Sequence, residues 1–556
     1  MENKNKDKIE EIGNVVQAII QTALDVNRHS HTRKEITADS LELVRSLIDR
    51  NKLLKEKYEK VYTNFRVSLE SIVDNSEQLD RNVQYFSEII ETINNIKATL
   101  NTLEGEINKL TSIAIDIRND TDEIFTLALN ASIVSSKYAH TSGVFDILAN
   151  KLNEMSNFIN QNLASIMAVV TPITEGIVKL ISNNEKVLDD IESGYLSFIG
   201  FNDILGKQKD SIDQLVSRAA DSGGQIDEQK VMLSELDGKI SQMDEDAVGA
   251  INGSANVAKT GEGLNSSVKN TLELIGKEKQ YGGAISSIMD QAAMVWQTAQ
   301  DVNARSRSQL DFSLSSVEFC DSLIDESSTL REMTEILSNQ AAESNNIAGY
   351  LSNNLGELSM QLNEIEKNLG DSNGTIHKFN EDYGEIDNIV KFLKNILNSM
   401  NVIGMMSRIE SARKPDEFSQ FMTISENISE LQNHIHNNIP NIEDNINSTH
   451  DLIKNVNDFF ESISSKFFVI AESTKNIIDK LGEITAISSE SQDFSREILE
   501  NSTEQVKNVT GLRESLMGLT EVVKKPIEGS AANIDRGKTI EEICLGIFQE
   551  ETVKSS

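Results

Sequence analysis

The feature that most constrains this chain is that it repeats itself at one offset. Gln21-Thr22-Ala23 followed by Asp25-Val26-Asn27 returns as Gln297-Thr298-Ala299 and Asp301-Val302-Asn303, a shift of 276 residues. Ser46-Leu47-Ile48-Asp49 returns as Ser322-Leu323-Ile324-Asp325 at the same shift. Asp203, Leu205 and Gly206 match Asp479, Leu481 and Gly482, and Gly253-Ser254-Ala255 match Gly529-Ser530-Ala531. One offset holding from Gln21 to Ala255 without a net insertion is the mark of a tandem duplication. Whatever fold the first half takes, the second half takes it too.

Periodicity says what that fold is. From Phe65, alternating steps of four and three visit Ser68, Ile72, Asn75, Leu79, Asn82, Phe86, Ile89, Ile93, Ile96, Leu100, Leu103, Ile107, Leu110, Ala114, Ile117, Thr121, Ile124, Ala128 and Ala131. This is a heptad seam, and the repeat offset carries it onto Leu351, Leu355, Leu358, Leu362, Ile365, Leu369, Ile376, Phe379, Tyr383, Ile386, Val390, Leu393, Leu397 and Met400, interrupted by Ser372. A helix from Phe65 to Ala131 is roughly 100 Å long at about 1.5 Å per residue, and it needs a partner along its length. The four prolines (Pro172, Pro415, Pro440 and Pro526) leave such helices almost unbroken. Aromatic residues make up only 5% of the chain, which predicts narrow helix-helix seams rather than thick globular cores. Asn75 and Asn82, placed in the seam, are expected to fix register at a cost in stability.

The partner follows in sequence. After a break near Ala139 to Gly143 the spacing resumes at Phe145, Leu148, Leu152, Met155, Ile159, Ile166, Val169, Ile173, Leu180 and Val187. In the second copy the turn centres on Lys414-Pro415-Asp416 and the return seam runs through Phe421, Ile424, Ile428, Leu431, Ile435 and Ile442. A seam that stops, turns and restarts reads as an antiparallel helical hairpin. Thirteen of the 29 glycines fall between Gly194 and Gly283, which marks a linker between the copies. The predicted fold class is all-α: two tandem long antiparallel coiled-coil hairpins. The first hairpin occupies 1–220 with its tip near 139–143, and a Gly-rich connecting region with short helices occupies 221–283. The second hairpin occupies 284–525 with its tip near 414–416, and a C-terminal segment occupies 526–556. The linker permits the hairpins to pack together as an intramolecular four-helix bundle, a covalent pseudo-dimer. Two hairpins joined end to end are the alternative.

Charge narrows the partners. A formal net charge of −36 argues against nucleic acid and anionic membrane surfaces, both of which need basic patches. The start of the chain, Met1 to Asp7, is charged with no apolar segment behind it, and no apolar run nears the roughly 18 residues of a spanning helix. A cytoplasmic protein without transmembrane insertion is the expectation. Cys320 and Cys544 lie far apart without metal-ligand spacing, and the pairs His29/His31 and His434/His436 point to different helix faces, so neither a metal nor another cofactor is predicted.

Two short stretches then show a resemblance. Leu127-Ala128-Leu129-Asn130-Ala131-Ser132-Ile133, with Lys137, Phe145 and Ala149, resembles without gaps the hairpin tip of bacterial methyl-accepting chemotaxis proteins. Ile409-Glu410-Ser411-Ala412-Arg413, with Phe421, Ile424, Glu426 and Ile428, resembles the latter half of the same pattern. Lys137 to Phe145 and Arg413 to Phe421 keep the same spacing. The departures are Val134 in place of the family's glutamate, Met406 in place of its asparagine, and Ala139 and Pro415 in place of its tip glycine. The resemblance implies a signalling coiled coil rather than an enzyme, in which the tip contacts a chemotaxis histidine kinase, its coupling protein and related receptors. Mapped onto this chain, the partner-binding candidates are Asn130, Lys137 and Phe145 in the first copy and Glu410, Arg413 and Phe421 in the second. Charged and amide groups on a tip of small residues make directional contacts that aliphatic groups cannot. Solvated helix-surface residues are the plainer reading of the same side chains.

Phe201-Asn202-Asp203-Ile204-Leu205-Gly206-Lys207-Gln208 looks like the segment of chemotaxis phosphatases in which an acid and a glutamine four residues later share one helix face. Here Lys207 stands four after Asp203, and Gln208 is about 100° further round the helix. Phosphatase activity is therefore the weaker alternative, beside a structural coiled-coil scaffold.

Overall fold

The computed structural model describes residues 2–137, 143–277, 279–413 and 415–555. They form four helices: α1 (Glu2–Lys137), α2 (Gly143–Gly276), α3 (Gly282–Arg413) and α4 (Pro415–Ser555). The all-α fold class read from the sequence is the one observed. Pro415 opens α4 at the first helical position, where a proline lacks nothing the helix needs. Ala139 and Lys414, expected in the two turns, lie outside the described residues.

The Gly-rich stretch 221–283 is not a set of short helices. α2 runs through it as far as Gly276, and the break is confined to the residues before Gly282. There Lys279 N–H donates to the Leu274 carbonyl at 3.1 Å, closing α2, and the Tyr281 carbonyl accepts from Ala284 and Ile285 N–H at 2.9 and 3.1 Å, opening α3. The segment 526–556, expected as a separate C-terminal piece, belongs to α4 through Ser555. Glycine misleads here because it serves close helix approach. A Cβ on Gly253 would collide with Val302, and one on Gly529 would stand 2.6 Å from Val26.

The chain divides into two compact units, and each helix contributes one segment to each. Unit 1 comprises Met1–Glu70, Lys209–Asn346 and Ile484–Ser556. Its core includes two apolar clusters that each draw on all four helices. One includes Ile12, Leu264, Val295 and Ile540; the other includes Leu47, Leu236, Leu323 and Leu516. The repeat reappears as geometry. Asn27 Nδ2 donates to the Ile251 carbonyl at 2.9 Å and to Ser254 Oγ at 3.0 Å, and Asn303 does the same to Ile527 and Ser530 at 2.8 and 2.9 Å. Gly253 packs on α3 and its counterpart Gly529 packs on α1, so the hairpins face each other about a pseudo-twofold axis. Lys4 and Lys8 on α1 both reach Glu550 on α4, at 3.0 and 3.2 Å.

Unit 2 comprises Ser71–Gln208 and Ile347–Glu483. Phe86 on α1 lies against Phe198 on α2 and Phe467 on α4, with ring centroids 5.3 and 6.2 Å apart. Gly176 on α2 accommodates Phe379 on α3, and Lys394 on α3 pairs with Glu443 on α4 at 2.9 Å, which completes a four-helix ring. Both units are thus four-helix bundles in which the two hairpins pack together.

Every seam residue expected from Ser71 to Ala131 and from Leu351 to Met400 is buried. The return seams need correction. Ser156 and Val170 occupy the buried positions expected for Met155 and Val169, and Ser425 and Gln432 those expected for Ile424 and Leu431. In each case the four-three register is set by the whole helix, and the neighbouring apolar residue is left at the flank. The amides of Asn75 and Asn82 are fully buried, with neither polar atom hydrogen-bonded.

One window of 18 residues in α2 reaches a mean hydropathy of 1.6, with 28% of it buried, so by length and composition alone α2 could cross a membrane. Counting unbroken apolar runs overlooks this because Ser165, Thr171, Pro172, Thr174, Glu175 and Lys179 interrupt the run. The α2 seam residues Leu163, Ile166, Val170, Ile173 and Ile177 are themselves packed inside unit 2.

Candidate functional site

The two tips belong to unit 2 and are built on one small core. Ala131, Phe145, Leu148, Ala149 and Phe421 are buried together, with Val134, Ile403 and Ile424 packed around them. At its centre the rings of Phe145 and Phe421 stack with centroids 4.0 Å apart and an interplanar angle of 19°. These two residues occupy equivalent positions in the repeat, so the stack joins one hairpin to the other across the pseudo-twofold relation. Aromatic pairing of this kind contributes about 0.5–1.5 kcal/mol beyond its buried area. Small residues at 131 and 149 let the helices come close enough for it.

The remaining predicted site residues stand outside that core. Asn130 and Lys137 are exposed on α1, seven residues apart and hence on one face, and Lys137 is the last residue of the helix. Glu410 and Arg413 pair with each other within one turn of α3, Oε2 to Nη1 at 2.9 Å. Arg413 is largely exposed, so the pair contributes little to stability and leaves both groups accessible to solvent. Phe145 and Phe421 are therefore brought into direct contact, and they support the surface rather than forming it. Below them Ser407 and Ser425 hydrogen-bond through their hydroxyls, and Ser411 Oγ donates to the Ser407 carbonyl at 2.8 Å.

The surface feature that sequence reasoning missed is apolar. Ile133 is 55% exposed, Ile409 61% and Ile147 65%, and Leu129, Val144, Val402, Met405, Met406 and Met422 are exposed as well. Leu129 and Ile133 lie one turn apart on α1, and the repeat carries them onto Met405 and Ile409 on α3. Each hairpin thus presents the same short apolar strip beside its polar tip residues. Large side chains concentrated on an exposed surface mark a contact surface, whereas single ones need no explanation. The available signal was the repeat itself: these four positions match at the offset although none falls in the heptad seam.

No model of a known protein family, no curated protein and no solved structure matches this chain.

The segment similar to chemotaxis phosphatases takes a different form. Asp203 pairs with Lys207 at 2.7 Å, one turn along the same face, whereas Gln208 is buried in the seam. Asn202 Nδ2 donates to Asp80 at 2.5 Å and its Oδ1 accepts from Ser76 at 2.8 Å, which ties this part of α2 to α1. An acid neutralised by lysine and a glutamine turned inward do not present one surface to a phosphorylated partner. His434 and His436 stand apart, as their spacing requires. His434 Nδ1 lies 2.5 Å from Asp120 on α1, and this hydrogen bond and the carboxylate charge raise its pKa. Among the described residues no group of three or more metal-ligating side chains comes together.

Proposed function

We propose that this protein is a cytoplasmic signalling or adaptor protein, similar to methyl-accepting chemotaxis proteins, that acts through its paired hairpin tips on a chemotaxis-type histidine kinase and its coupling protein. The observation that carries the reading is the duplicated apolar strip, Leu129 and Ile133 with Met405 and Ile409, set beside Asn130, Lys137, Glu410 and Arg413. An apolar centre flanked by accessible charged and amide groups has the composition of a transient protein-protein interface. The acidic chain disfavours nucleic acid as the partner of that surface. Pairing of Asp203 with Lys207 weighs against the phosphatase alternative. A structural scaffold would need the seams but would have no use for an apolar tip.

The test is co-sedimentation of the full chain with purified kinase and coupling protein. Ile133→Ser with Ile409→Ser, and separately Glu410→Ala with Arg413→Ala, are expected to abolish co-sedimentation while leaving helical content unchanged. Co-sedimentation surviving both double variants would refute the site, and none by the unaltered protein would refute the function.

A further inference from the structure

In unit 1 four hydrogen-bonded contacts join residues that occupy the same position in the two copies: Gln505 Nε2 donates to Gln229 Oε1 at 3.2 Å as a pair of like residues, and in the other three the partners differ. Asn5 Nδ2 donates to Tyr281 Oη at 3.1 Å, Arg33 Nη2 donates to Gln309 Oε1, and the hydroxyls of Tyr58 and Thr334 are hydrogen-bonded. Residues related in this way meet on the pseudo-twofold axis, where a true twofold would place two identical side chains. The axis therefore records what each half would meet if it paired with its own duplicate.

Arg33 carries the strongest constraint. Its exposure is 0%, its Nη1 donates to Ser306 Oγ at 2.9 Å, and its Nε has no acceptor. Burial lowers the guanidinium pKa to about 10, and the charge of Asp246 partly offsets that effect, so the group stays cationic at neutral pH. Asp246 is itself engaged by Arg305 at 3.4 Å. Gln309 supplies the neutral acceptor that the guanidinium needs, and it donates in turn to the Met243 carbonyl at 3.1 Å.

We propose that Arg33 makes the two halves of this chain non-interchangeable: the α1 face of unit 1 accepts the α3 face opposite it and rejects a second copy of itself. Pairing α1 with another α1 would put a second buried guanidinium where the Gln309 carboxamide oxygen now accepts from Arg33, leaving each cation only the hydroxyl of Ser30, the counterpart of Ser306, which is a costly like-charge mismatch in a helix seam. Tyr58 reinforces the rule by size. Two tyrosines would overfill the space that one tyrosine and Thr334 share, and two threonines would leave it empty. In unit 2 the buried amides of Asn75 and Asn82 stand where the second copy has Leu351 and Leu358, and they are neutral where Arg33 is charged.

The experiment uses the full chain with a protease site inserted between Gly276 and Gly282. After folding, the chain is cut, the two halves are separated in urea and refolded together, and mixed and like pairs are counted by native mass spectrometry. The unaltered protein is expected to return mixed pairs over like pairs by at least about tenfold. Arg33→Gln is expected to lower that ratio by about tenfold, towards the ratio set by chance alone. A chance ratio in the unaltered protein, or an unchanged ratio in Arg33→Gln, overturns the proposal. A second measurement needs no cutting. In the intact chain, Gln309→Arg is expected to disrupt unit 1, seen as a red shift of Trp296 fluorescence, and adding Arg33→Gln is expected to reverse the shift by exchanging the two residues. A folded Gln309→Arg single variant, or a double variant no better than the single, overturns it equally.

Discussion

Gly537→Ala should destabilise unit 1, although replacing glycine by alanine inside a helix normally does the reverse. A Cβ at Gly537 would stand 2.8 Å from Trp296 Cβ and 3.2 Å from both the Ala292 carbonyl oxygen and the Trp296 nitrogen. Two of those atoms are α3 backbone, so relief requires the helices to separate rather than a side chain to turn. The helix propensity gain is about 0.5–1 kcal/mol and overpacking costs about 1–3 kcal/mol. Gly238 supplies the control because it is exposed, lies in the same unit and has nothing within 4 Å of a built Cβ. Comparing Gly537→Ala with Gly238→Ala cancels the shared propensity term, and the difference of about 1–3 kcal/mol is the steric cost alone. Trp296 is the only tryptophan, so a urea titration followed by its fluorescence reports on this contact. Equal midpoints for the two variants, with an unshifted spectrum in Gly537→Ala, would refute the reasoning.

Three further outcomes follow from buried groups and one ion pair. Asn82→Leu should raise stability in urea by about 1–3 kcal/mol, because it removes a buried amide that bonds to nothing; a loss of stability would mean the amide is satisfied in solution. His434 has a folded pKa raised by Asp120, so its contribution is complete below the ordinary imidazole range and vanishes as pH rises through the folded value. His434→Gln should therefore match the unaltered protein in alkaline solution and fall below it in acid, and a deficit independent of pH would rule this out. Cys320 and Cys544 are buried, and desolvation pushes both thiols to about 12, so a thiol reagent should label the native protein at least about a hundredfold more slowly than the urea-unfolded chain.

Much of the fold was legible because heptad spacing over a long helix leaves little freedom. The seam from Phe65 to Ala131 is buried position by position, including Ser68 and Thr121 within it, which local hydrophobicity would have rejected. The return seams were harder because an apolar residue beside the true position attracts the assignment, as Met155 does beside Ser156. In α1 the positions Ser30, Arg33, Thr37 and Ser40 form a polar run through the core, and polarity hid it from a search for apolar spacing. Of the candidate site, Phe145 and Phe421 were visible as residues and their stacking was not, since nothing in one sequence says that two hairpins meet tip to tip. The exposed strip was invisible for the opposite reason: Ile133 and Ile409 look like core until the register assigns them to the outside.

The ion pairs from Lys4 and Lys8 to Glu550 have a mechanical consequence. They hold the beginning of α1 beside the end of α4, two helices that run antiparallel through unit 1. A load applied between those points acts across the helices and peels them apart turn by turn, breaking a few contacts at a time. Attached instead at Lys4 and Ile484, the same load acts along the α1–α4 seam, and the contacts between those helices resist together. In a single-molecule pulling experiment the first geometry should yield at low force in small steps and the second at higher force in one large step.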